Sequence, residues 1–251
     1  MHPEPKNQQI QSLACCAKHA LVKIYATESS KIMHPAPKNQ QIQSLACCAK
    51  HALVKIYATE SSKIMHPEPK NPQIRSLACG AGHTLALDHR GRVWATGMSS
   101  ASGFYQNRSD FALLPPERFV GQDVVAVRAG GWNSAAKTTD GALFTWGLGR
   151  YGAPGHGDTD DVTLPCMVDF LEDVAHQVVE FAVGWSFCVV ATNAGLFSWG
   201  NNSAGQLGLG DMVSRTRPKR VLYWDAGRRI AQVLRCKTWP RCNVFTTDFR
   251  L

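Results

Sequence analysis

At 251 residues, 44% of them hydrophobic and 18% charged, the chain can bury a sizeable core and is too ordinary in charge for a disordered protein. Its net charge of +8 is unevenly spread: 17 basic and 9 acidic groups in residues 1 to 150, 8 acidic and no basic in 151 to 214, 10 basic and 2 acidic in 215 to 251. Nine cysteines, none in a Cys-x-x-Cys hook, point away from a zinc site and towards reduced, mostly buried thiols.

The opening Met1-His-Pro-Glu-Pro-Lys-Asn has neither the apolar core of a secretory signal nor an Arg-rich amphipathic transit pattern, so a cytoplasmic or nuclear location is expected. Residues 1–32 and 33–64 are one 32-residue unit written twice, differing only at Glu4 against Ala36. The unit begins a third time at Met65 and there runs on through Cys79 into Gly80-Ala-Gly-His-Thr-Leu-Ala-Leu87. Residues 1–64 therefore read as duplicated half-repeats and 65–251 as the main domain. For the duplicated unit two readings stand: Ile10, Leu13, Ala14, Ala17, Leu21 and Ile24 share a helical face, whereas the third copy reads as strands around Gly80 and Gly82.

From Ile74 onward one plan repeats: two apolar strands, a tight glycine hairpin at Gly91, Gly141 or Gly195, a third strand ending at Gly97, Gly147 or Gly200, a long loop, and a fourth strand. A period of about 50 residues with four strands per unit describes propeller blades, here at about 74–119, 124–168 and 178–221, with an opening strand pair at 230–249. The uncharged stretch Phe181–Gly210 is long enough to span a bilayer, but its glycines and asparagines have strand-and-turn spacing. No membrane contact is expected.

The segments Ala78-Cys-Gly-Ala-Gly-His-Thr-Leu-Ala-Leu87 and Trp199-Gly-Asn-Asn-Ser-Ala-Gly-Gln-Leu-Gly-Leu-Gly-Asp211 resemble the blade pattern of the regulator of chromosome condensation repeat family. The resemblance covers about residues 74–249 and implies an all-β propeller, of which this chain carries an incomplete ring. Open sheet edges would then be closed by homo-oligomerisation, by half-blades from the N-terminal copies, or by sequence beyond this chain. Along the repeats the family histidine is kept at His83 and reads as Asn133 and Ser186 later, while the strand-ending tryptophan is Thr96 in the first blade.

Two chemical constellations have plainer readings. Gly147-Leu-Gly-Arg-Tyr-Gly152 has dinucleotide-loop spacing, but Ala153-Pro154-Gly155 cannot open the required helix. His156, Asp158, Asp160 and Asp161 fall where the next repeat has its own glycine-rich loop. No cofactor, metal or catalytic set is expected.

What differs between blades carries the functional expectation. Trp132, Trp185 and Trp239 recur in the turn between first and second strands, at spacings that suggest equivalent spots on one face, and they are candidate partner anchors. The basic tail with Arg215, Arg217, Lys219, Arg220, Arg228 and Arg229 is a candidate surface for acidic partners, nucleic acid or chromatin. A non-enzymatic protein-binding module is expected. The family resemblance adds, as the alternative, guanine-nucleotide exchange on a Ran-like small GTPase, or chromatin association.

Overall fold

A computed structural model describes residues 13–15, 45–47, 74–169, 177–222, 230–235 and 242–246. Two short strands, β1 (Leu13–Cys15) and β2 (Leu45–Cys47), pair in parallel with Leu13 opposite Leu45. The strand reading of the duplicated unit thus holds at these tripeptides, and the rest of residues 1–73 lies outside the described residues.

Blade 1 is β3 (Ile74–Cys79), β4 (His83–Asp88), β5 (Val93–Gly97) and β6 (Arg108–Leu113). Blade 2 is β7 (Val124–Ala129), β8 (Asn133–Thr138), β9 (Leu143–Gly147) and β10 (Val162–Met167). Blade 3 is β11 (Val178–Val183), β12 (Phe187–Thr192), β13 (Gly195–Gly200) and β14 (Arg215–Arg220). Each is a sequential antiparallel sheet, and β15 (Ile230–Arg235) pairs with β16 (Cys242–Thr246) in the same sense. Half of the uncharged stretch Phe181–Gly210 lies in β11, β12 and β13 and the rest in turns and a loop, and among the described residues no helix is long and apolar enough to cross a membrane.

Period-two alternation explains how the sheets stack. Along β9, Leu143 joins Phe181 and Val190 of blade 3 in one core cluster, whereas Phe144 and Trp146 join Leu85 and Val93 of blade 1 in another. A blade covered on both faces needs apolar residues at consecutive positions, and all five residues of β9 are buried. The outer strand β6, on the rim, has three consecutive exposed residues.

Backbone hydrogen bonds stitch successive blades at both ends. At one end the Ala81 N–H donates to the Gly131 carbonyl (2.8 Å) and the Gly131 N–H to the Gly184 carbonyl (3.2 Å). At the other, the Val124 N–H donates to Gly91 and the Val178 N–H to Gly141, the residue closing each preceding hairpin. Gly141 sits at φ +88°, the conformation that the Asp140-Gly141 turn demands.

Candidate interaction surface

The turn end of the blades presents Trp132 and Trp185 side by side. Their ring centroids lie 6.5 Å apart with planes at 81°, an edge-to-face pair. Each indole is seated on a glycine of the preceding blade: a Cβ on Gly82 would lie 2.7 Å from Trp132, and one on Gly131 would lie 2.7 Å from the Trp185 ring. Met98 flanks the same glycine, with its sulfur 2.8 Å from the Gly82 Cβ position. Trp185 is 40% exposed and Met98 41%, so the cluster is supported from below and open above.

The ladders correct the repeat alignment. His83, Asn133 and Phe187 face the strand-ending Gly97, Gly147 and Gly200. Phe187, not Ser186, therefore holds the histidine position in blade 3. Trp132 matches Ser186 and Trp185 matches Gly131, so the two tryptophans are one residue out of register rather than equivalent. With this offset Trp185 lies over Gly131 and meets Trp132 edge-on.

Beneath this surface lies a buried junction that the sequence did not announce. The Trp146 indole donates to the Ala101 carbonyl (2.9 Å), which sits in α1, a single helical turn spanning Ser99–Ser102 in blade 1. The Ser134 hydroxyl donates to the same carbonyl (2.7 Å) and lies 2.7 Å from His83 Nε2. Trp199 repeats the device by donating to Ala153 of blade 2 (3.0 Å). The recurrence of Trp-Gly at strand ends was visible; its reach into the preceding blade was not. In blade 1 Thr96 stands at that position and donates instead to Arg108 within its own blade.

The glycine-rich loop after β13 is held by Asn202, whose amide donates to the Asp211 carbonyl (2.9 Å) and carboxylate (3.0 Å) while its oxygen accepts from the Leu207 N–H. Asp211 is kept below the usual carboxylate range, chiefly by the Val213 N–H and further by Arg215. In the corresponding loop of blade 2, Asp161 accepts from the Gly149 N–H, Asp158 from the Asp160 N–H, and His156 lies 3.1 Å from the Thr145 hydroxyl. Burial holds the His156 pKa below its ordinary value, although Thr145 and two nearby aspartates oppose this. Among the described residues no three His, Cys, Asp or Glu side chains converge to hold a metal ion.

Of the basic tail, β14 carries Arg215, Arg217, Lys219 and Arg220. Arg215 is ion-paired with Asp211 at 2.5 Å, whereas Arg217, Lys219 and Arg220 are exposed on the rim. They lie on the outer strand, not beside the tryptophans of the turns. Trp239, Arg228 and Arg229 lie outside the described residues.

Three stacked four-stranded antiparallel sheets with a further strand pair make this a partial β-propeller. Regulator of chromosome condensation repeat models match residues 74–103, 140–191 and 193–233, and the chain belongs to that repeat family. It is 35% identical over 153 residues to the E3 ubiquitin-protein ligase HERC2 of Homo sapiens, covering 60% of this chain and 3% of the ligase. It is 29% identical over 141 residues to the ultraviolet-B receptor UVR8 of Arabidopsis thaliana, covering 55% of this chain and 32% of the receptor. Prp20p from Saccharomyces cerevisiae, whose structure is described with its binding properties to Gsp1p and histones, superposes with a TM-score of 0.56 at 25% identity, over 70% of this chain and 43% of that one. Human WBSCR16 shares the fold, with a TM-score of 0.55 at 23% identity over 74% of this chain and 48% of that one. The chain thus spans less than half the length of each of these relatives.

Proposed function

We propose that the chain is a non-enzymatic protein-interaction module, in a cytoplasmic or nuclear setting, whose blade turns bind a partner through Trp132, Trp185 and Met98. The single observation that carries this reading is the half-open aromatic pair seated on glycines. Side chains that bury one face on rigid backbone and expose the other lose little freedom on binding, which suits them as anchors. Trp239 is assigned to the same surface by sequence alone. Affinity capture compared by quantitative mass spectrometry tests the reading: Trp132→Ala with Trp185→Ala should deplete the proteins retained by the wild type at least about tenfold. Equal recovery by a variant with an unchanged far-ultraviolet circular dichroism spectrum rejects the turns as the anchor.

A second reading, guanine-nucleotide exchange on a Ran-like small GTPase, is favoured by the likeness to Prp20p and the Gsp1p binding described for that protein. An exchange factor performs no bond chemistry and needs only to stabilise the nucleotide-free GTPase. Release of a fluorescent guanine nucleotide from a Ran-type GTPase should accelerate with micromolar protein, and an unchanged release rate rejects this reading. Histone or chromatin contact through the basic tail is the remaining variant, and it requires retention that falls steeply with salt.

A further inference from the structure

We infer that the rim strand β14 is a side-chain docking strip for an acidic peptide with carboxylates at alternate positions. This rests on the interaction-module reading but uses a different surface from the tryptophans. Among the described residues, Arg92, Arg108, Arg128 and Arg215 each hold an acidic partner, at Asp88, Asp110, Glu180 and Asp211. Arg217, Lys219 and Arg220 are exposed with no carboxylate within ion-pair distance among the described residues; so are Arg90, Arg118 and Arg150, but those stand singly, whereas these three share one strand. Three uncompensated cations on one strand make a local positive field that a short anion can neutralise.

The backbone of the same strand limits how a partner attaches. The Thr216 carbonyl accepts the Gly157 N–H from the neighbouring blade (2.9 Å), and Pro218 has no N–H to offer. Addition of a further strand is therefore blocked, as on many protected sheet edges. Recognition falls to the side chains. Pro218 is buried between exposed Arg217 and Lys219, so these two cations face solvent from positions two apart, within the stretch where β14 slips register against β13. Alternate side chains of an extended peptide likewise point to one face, so two of its carboxylates can meet these two cations. The Arg217 guanidinium is laid along Gly157, where a Cβ would lie 2.5 Å from Nε, which limits its freedom.

Peptide is favoured over nucleic acid by the acidic groups that bound one end of the strip. Exposed Asp158 follows Gly157, which bonds Thr216, and Asp211 pairs with Arg215, so both acidic groups stand at the starting end of the strand. A long phosphate track continuing past that end would meet like charge, whereas a short acidic segment confined to Arg217–Arg220 would not.

Fluorescence anisotropy of the full chain with three labelled probes tests the assignment: a decapeptide alternating Asp or Glu with Ser, the same composition with its acids in one block, and a twelve-nucleotide oligothymidine. The alternating peptide should bind about tenfold more tightly than the block peptide. Arg217→Glu with Lys219→Glu should abolish binding, Arg217→Lys with Lys219→Arg should largely retain it, and Trp132→Ala with Trp185→Ala should leave it unchanged. Equal affinity for the two peptides, tighter binding of the oligonucleotide, or unchanged binding by a folded charge-reversed variant overturns the proposal. Because the tryptophan variant is read separately by partner capture, loss of one surface is distinguishable from loss of the other.

Discussion

Trp146 and Ala101 are joined across a blade boundary by a 2.9 Å indole-to-carbonyl hydrogen bond, and Ser134 donates to the same oxygen. The shared acceptor makes the two donors partly redundant. Trp146→Phe should cost about 1 kcal/mol for the bond, since the carbonyl stays satisfied, plus a small packing loss. Trp146→Ala should cost about 3–5 kcal/mol because a fully buried indole leaves a cavity. Urea denaturation of both variants checks the separation, and equal losses would show that the hydrogen bond lost in both, rather than packing, sets the cost at this boundary.

Gly130 is the tightest approach in the turn stitching, since a Cβ there would stand 2.0 Å from the Gly184 carbonyl oxygen and 2.7 Å from Val183 Cγ1. Neither obstacle is the free end of a flexible chain. Gly130→Ala should therefore force blades 2 and 3 apart at the turn and destabilise by about 1–3 kcal/mol, as overpacking does. Gly121→Ala has open space around the added Cβ but sits at φ +71°, so its smaller loss measures backbone strain alone. A Tm comparison of the pair decides whether blade contact is the larger cost.

The blades were legible because hairpin and strand-end glycines fix where strands begin and end, and because two-sided burial leaves strings such as Leu143-Phe-Thr-Trp146. The register of the turns was not. Counting tryptophans gave 53 residues between Trp132 and Trp185, but the ladder advances 54 from Asn133 to Phe187, and only pairing with Gly147 and Gly200 reveals the slip. Likewise, nothing in the spelling of Ser99-Ser-Ala-Ser102 marks Ala101 as the acceptor for a tryptophan 45 residues on. Main-chain acceptors carry no sequence signature, so junctions built on them escape a reading of side chains. The cations of β14 were visible as charge; their separation from the turn face needed the fold.

Asp88 supplies a pH dependence. Burial tends to raise its carboxyl pKa, but the Arg92 N–H, the Trp94 indole, the Arg92 side chain and the Arg90 N–H together hold it below the ordinary carboxylate value. A group depressed in the folded state stabilises above its unfolded pKa, near 3.9, and that contribution is lost as pH falls through the folded value. Asp88→Asn should therefore lower the urea midpoint clearly at pH 7, and by less as pH falls progressively below the ordinary carboxylate range. A midpoint difference that stays constant as pH falls would assign the loss to hydrogen-bond geometry rather than to charge.

Trp185 provides a direct reporter for the turn surface. Among the described tryptophans it is the exposed one, at 40%, whereas Trp146 and Trp199 are fully buried, so acrylamide should quench its emission ahead of theirs. Trp185→Phe should remove a readily quenched fraction and shift the remaining emission to shorter wavelength. It should cost less than about 1 kcal/mol in stability, because the ring is half in solvent and phenylalanine still covers Gly131. A partner seated on the turns should protect the same fraction from acrylamide in the wild type and change nothing in the variant. Protection that survives Trp185→Phe would place the partner away from these turns, and undiminished quenching in the complex would leave the exposed indole outside the interface.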